Sequence, residues 1–106
     1  MGERLMPIGM KSTSRRDWTE AHRKCEEERV CRVCGAPASD AAHIIPRSLG
    51  GGMSAAAVVP LCREDHTAYD DHDLDLLPYL TREEELEAVR VVGISRAYRI
   101  LGGMAA

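Results

Sequence analysis

The feature that most constrains this chain is a Cys-x-x-Cys pair, Cys31 and Cys34, with Gly35 directly behind it. Two sulfurs at that spacing, followed by a turn-forming glycine, make one half of a tetrahedral zinc site. A second half is then needed downstream, and Cys62-x-x-Asp65 supplies it in altered form. Carboxylate oxygens also ligate zinc, so Cys31, Cys34, Cys62 and Asp65 form a candidate structural Zn²⁺ site, with His66 as the rival fourth ligand. The competing reading of Cys62 is a small buried hydrophobe. Composition favours the metal. The chain has 106 residues, no Phe and a single Trp, which is enough for one small domain with a thin aliphatic core. Such a core needs a staple: a disulfide, a metal or a partner chain. The segment from Met1 to Met10 has no apolar signal core. The expected compartment is therefore the cytoplasm, where thiols stay reduced and are available to metals.

No apolar run approaches the roughly 18 residues of a membrane span, so no membrane contact is expected. A net charge of −3 excludes a strongly basic coat for nucleic acid. The charge is nevertheless uneven. Arg4, Lys11, Arg15, Arg16, Arg23 and Lys24 make the N-terminal part basic, while Glu64, Asp65, Asp70, Asp71, Asp73 and Asp75 surround the single base Arg63. A basic arm beside an acidic centre suits a protein that grips phosphates with one part and a divalent cation with another. Two solvated faces are the plainer alternative.

Residues 1–16 lack periodicity and carry Gly2, Pro7 and Gly9, which predicts a flexible basic arm. Residues 17–106 form the single expected domain. Asp17 can cap a helix to about Arg29 that buries Trp18, Ala21 and Cys25. Short strands are expected at Ala42–Ile45 and at Val58–Val59, the second ended by Pro60. Gly50-Gly51-Gly52 lies in the loop between them, and a helix is expected within Leu61–Asp71. Thr81 and Glu84 make a capping box that opens a helix at about 81–101. Its apolar stripe would be Leu86, Val89, Gly93, Ala97 and Ile100, and Gly102-Gly103 would stop it. Glu83, Glu84, Glu85 and Glu87 point to a solvated face for that helix. On the central helix His66 and Asp70 are four apart and project from one face, an arrangement that suits two ligands of one cation.

The run Cys31-x-x-Cys34, then His43-Ile44-Ile45-Pro46-Arg47-Ser48-Leu49-Gly50-Gly51, then Pro60-Leu61-Cys62 with His66, resembles the HNH endonucleases. More narrowly it is similar to the small HNH proteins of phages and prophages. The resemblance covers a core at about 31–71. It implies a small α+β fold, a zinc-stabilised ββα-metal core flanked by N- and C-terminal helices. It also implies metal-dependent hydrolysis of DNA phosphodiester bonds, with His43 as the general base that activates water. His66 and Asp70 fall on positions that hold the catalytic ion, Mg²⁺ or Mn²⁺, and Asp40 is a further candidate ligand. Arg47 and Ser48 fall where phosphate is contacted, and Arg15 and Arg16 extend that basic surface. DNA is the implied partner. A homodimer would let one small site serve both strands. The sequence departs from the family pattern at Ala42, Ala57 and Asp65. Those departures motivate the alternative of a catalytically degenerate zinc-stabilised module for DNA or protein binding, or an accessory subunit of a phage packaging or recombination complex.

Overall fold

A computed structural model describes residues 12–103, with side chains from Thr19 onward. Helix α1 (Ser12–Glu28) leads into the cysteine knuckle. Strands β1 (Asp40–His43) and β2 (Val58–Leu61) then form a two-stranded antiparallel sheet. Helix α2 (Arg63–Asp70) follows β2 almost at once, and α3 (Arg82–Val92) and α4 (Ile94–Leu101) close the chain. The result is an α+β fold in which a strand–strand–helix unit is flanked by helices on both sides. Among the described residues no helix is long and apolar enough to cross a membrane.

Several local expectations are corrected. Helix α1 starts at Ser12, inside the segment expected to be an arm. No Gly or Pro lies between Gly9 and the predicted start, so nothing in the sequence stops the helix from extending N-terminally. The remainder of the expected arm, residues 1–11, lies outside the described residues. Strand β1 runs two residues earlier than predicted. Ile44 and Ile45, both buried, follow it where the chain turns towards a short 3₁₀ segment, Arg47–Leu49.

Strand β2 continues through Pro60 to Leu61. The register pairs Ala42 with Val59 and Ala41 with Pro60. The Ile44 N–H donates to the Ala57 carbonyl at 3.0 Å, which makes every second pair along this ladder hydrogen-bonded. Pro60 falls between those pairs, where its missing N–H leaves no gap. The loop's close turn needs Gly51, since a Cβ there would lie 1.8 Å from the Ile45 carbonyl oxygen.

The predicted C-terminal helix is two helices. Gly93, at φ 88° and ψ 161°, breaks it, in a backbone conformation that glycine alone adopts readily. The break lets Ala88 on α3 and Ala97, Ile100 and Leu101 on α4 reach the same core. The Leu76 N–H donates to the Leu101 carbonyl at 2.8 Å and fastens the end of α4. Leu86, expected in the apolar stripe, is 55% exposed. The inward positions of α3 are Glu84 and Ala88, one turn apart, and Leu86 lies between them on the opposite face.

Glu84, expected on a solvated face, is 2% exposed. Its capping box with Thr81 forms as predicted: Thr81 Oγ1 accepts the Glu84 N–H at 3.2 Å, and Glu84 Oε1 accepts the Thr81 N–H at 2.7 Å. The same carboxylate accepts Lys24 Nζ of α1 at 2.5 Å and Arg32 Nη1 and Nη2 of the knuckle at 2.9 and 3.1 Å. Lys24 also donates to the carbonyls of Ala55 and Val58. Burial pushes the Glu84 carboxyl up, but the hydrogen bonds from Arg32, Lys24 and Thr81 outweigh it and hold the group below the usual carboxylate range. One carboxylate thus joins α1, the knuckle, the inter-strand loop and α3. Glu84→Ala would leave the partly buried Lys24 without its carboxylate and Arg32 with Glu28 alone, so a loss of about 3 kcal/mol is expected in urea unfolding. The exposed neighbour Glu83, changed to Ala, should shift the midpoint little.

Candidate functional site

Cys31 to Gly35 turns back on itself. The Cys31 N–H donates to the Ala36 carbonyl at 2.6 Å, and the Gly35 N–H to the Cys31 carbonyl at 3.0 Å. The Arg32 N–H reaches the Pro60 carbonyl at 2.9 Å and ties the knuckle to β2. Cys62 stands just past the same end of β2, two residues after Pro60, as the N-cap of α2, its sulfur accepting the Asp65 N–H at 3.4 Å. These two tethers bring the ligand atoms of Cys31, Cys34, Cys62 and Asp65 within 4.8 Å of one another. The Cys34 and Cys62 sulfurs are 3.7 Å apart, and Asp65 Oδ2 lies 3.1 Å from Cys31 and 3.4 Å from Cys62. A tetrahedral zinc with bonds of about 2.3 Å to sulfur and 2.0 Å to oxygen has edges of roughly 3.8 and 3.5 Å. The four residues can therefore hold a metal ion in a geometry compatible with Zn²⁺. Among the described residues no other group of three or more ligands converges in this way. His66, the rival fourth ligand, faces Asp40 instead.

The electrostatics of the cluster point the same way. A main-chain hydrogen bond from Ala36 favours the Cys34 thiolate, but Asp65 and the neighbouring sulfurs outweigh it and push that thiol up to about 12. Thiol hydrogen bonds, first from Cys31 and then from Cys34 and Cys62, hold the Asp65 carboxyl below its usual range. Zinc binds thiolate rather than thiol, so loading releases protons from the cluster and weakens as pH falls.

The second constellation lies along α2. His66 and Asp70 share a face as predicted, with His66 Nε2 and Asp70 Oδ2 3.6 Å apart. On the other side of the ring, His66 Nδ1 meets Asp40 Oδ2 at 2.7 Å. Arg63 grips both oxygens of Asp40, at 2.9 Å each. Arg63, then burial opposed by His66, sets the Asp40 carboxyl, with the net result below its usual range. The two carboxylates thus stand on opposite nitrogens of one imidazole.

His43, the last residue of β1, faces a cleft of about 250 Å³ that it shares with Arg47, His66, Tyr69, Asp70 and His72. The Tyr69 hydroxyl donates to the Ile44 carbonyl at 2.6 Å from a buried position, fixing the main chain beside His43 to α2. Burial, helped by the positive charge of Arg47 and by His66, pushes the His43 imidazole below its ordinary 6.5. It is neutral at pH 7. Arg47 and Ser48 are exposed on the 3₁₀ turn at the rim. Arg15 and Arg16 belong to α1, where their side chains lie outside the described residues. Ala42 and Ala57, two of the three departures from the motif, are both buried in the core. Sequence reasoning missed Arg63, whose charge gave no sign of its partner, and Tyr69. Tyr69 stands three residues after His66, close to the same face of α2, and that spacing was its available signal.

Residues 31–75 match the family model for HNH endonucleases. The similarity to the HNH endonucleases lies in this segment, less than half of the chain. The HNH segment contains the four-ligand cluster, His43, and the His66–Asp70 face in one continuous stretch. It begins at the first cysteine of the knuckle and ends before α3. An HNH domain is a nuclease-type module, and the strand–strand–helix order seen here agrees with it. No curated protein and no solved structure matches the chain.

Two outcomes are expected. Stripping the metal with a chelator should lower the thermal melt steeply, followed by circular dichroism, because the core is thin without its cross-link. An unchanged melt would show that the cluster carries no structural ion. In NMR titration His43 should lose its proton at a pH below 6.5, and Arg47→Ala should move that midpoint upward by removing a nearby positive charge.

Proposed function

We propose that this protein is a metal-dependent DNA endonuclease in which His43 is the general base. The observation that carries this reading is the cleft: a half-buried, neutral imidazole at the end of β1 faces the His66–Asp70 pair on α2. A neutral His near pH 7 can take a proton from an attacking water. His66 and Asp70 would hold the divalent ion, offering one ring nitrogen and one carboxylate from neighbouring turns of α2. Mg²⁺ suits the pair, because it retains waters and accepts one or two protein ligands with substrate phosphates completing its shell; Mn²⁺ is the other candidate. When bound, the ion offsets the negative charge that builds on the phosphate oxygens during cleavage. Arg47 and Ser48 at the rim are the phosphate contacts, and Arg15 and Arg16 continue the basic surface. The tie between Tyr69 and Ile44 keeps His43 at a fixed distance from α2.

The deciding experiment is cleavage of supercoiled plasmid in Mg²⁺ or Mn²⁺. Wild type should nick the DNA, and His43→Ala should slow cleavage by about 10²- to 10⁴-fold with the fold intact. One observation favours a second reading. Ala42 is fully buried and offers no ligand, so only two residues are presented to the ion on the Nε2 side of His66. In that reading the module binds DNA or a protein partner without cutting, and binding is unaffected by His43→Ala. Absence of cleavage on supercoiled, single-stranded and branched DNA, with DNA binding retained, would decide for it.

A further inference from the structure

We propose that Asp40 is a positioning residue: it fixes His66 in the tautomer that carries its proton on Nδ1 and keeps Nε2 bare towards Asp70. The inference rests on the reading of His66 as a cation ligand, and it assigns Asp40 to the support of that ligand rather than to the ion. Asp40 Oδ2 is 2.7 Å from His66 Nδ1. A carboxylate only accepts, so the ring nitrogen must donate. Asp70 stands on the far side, 3.6 Å from Nε2. The carboxylates flank the ring from opposite edges, and an ion beside Nε2 and Asp70 has the imidazole between it and Asp40.

Arg63 completes the device. Its guanidinium holds both Asp40 oxygens at 2.9 Å, leaving the carboxylate little freedom to rotate away from the ring. Its side chain is 75% exposed, whereas Asp40 is 14% exposed. The acceptor is thus sheltered and its clamp lies outside. Strand β1 sets the position of Asp40 through its pairing with Leu61, one residue from the Cys62 cap of α2. The distance between Asp40 and His66 is therefore governed by the strand–helix junction. Carboxylates that hold the second nitrogen of a ligating histidine typically account for a 10- to 100-fold effect on metal affinity.

The test has two readouts that do not need cleavage. Nitrogen-15 NMR of the metal-free protein in mildly alkaline solution reports the His66 tautomer. Wild type should show Nδ1–H. Asp40→Ala should revert to Nε2–H, the form a free neutral imidazole prefers. Asp40→Asn, whose amide oxygen still accepts, should keep Nδ1–H. Mn²⁺ affinity, read from the free-ion EPR signal, should fall about 10- to 100-fold in Asp40→Ala and be largely restored in Asp40→Asn. Thermal melts of all three proteins guard against simple unfolding. An Nε2–H tautomer in folded wild type, or equal Mn²⁺ affinity in wild type and Asp40→Ala, overturns the proposal. A wild type that shows Nδ1–H and the expected affinity losses but leaves plasmid uncut supports Asp40's role while counting against the nuclease reading.

Discussion

The meeting of Cys31, Cys34, Cys62 and Asp65 is the constraint on which the rest of the molecule depends. Those atoms come from two places, the knuckle before β1 and the junction of β2 with α2. Joining them fixes where α2 begins, and therefore where its His66–Asp70 face points. The sheet has only two strands, and two strands alone are marginal in water. Without a cross-link the helix could pivot on its own first turn. The cluster and the His43 cleft are adjacent for this reason: one anchors the N-terminus of the helix whose side lines the other.

The second anchor is Glu84. A buried carboxylate is costly unless each oxygen is answered, and here Lys24, Arg32 and the Thr81 N–H answer both. Arg32 sits between Cys31 and Cys34, so the knuckle that supplies two sulfurs is also held from behind by α3. The helices outside the HNH segment are thus part of how that segment is held. Helix α1 contributes Lys24, α3 contributes Glu84, and α4 closes the core beneath Tyr69 and Leu76.

The cleft divides its work between strand and helix. His43 comes from β1 and is neutralised by burial and by nearby positive charge. His66 and Asp70 come from α2, and Asp40 reaches the helix from the start of the strand that His43 ends. A short strand can serve both sides of the helix because its first and last residues point to opposite faces. The motif's acidic position is lost at Ala42, and the nearest carboxylate on the same face of β1 is Asp40, two residues upstream.

The sequence by itself determined the two cysteine half-sites, the capping box at Thr81 and Glu84, the order of strand, strand and helix, and the shared face of His66 and Asp70. Each is a local signal: a fixed spacing, a cap, or a period of two or four residues. The tertiary structure alone decided that Asp65 rather than His66 joins the cysteines, that Glu84 is buried, and that Asp40 faces Nδ1 of His66. It also decided that Gly93 divides the last helix and that β2 runs through Pro60. These depend on which distant groups meet. Glu84 reads as the middle of a run of three acids until Lys24 and Arg32 come to it from elsewhere in the chain. Local periodicity cannot report such a meeting, because the energy of a buried charge is set by partners remote in sequence.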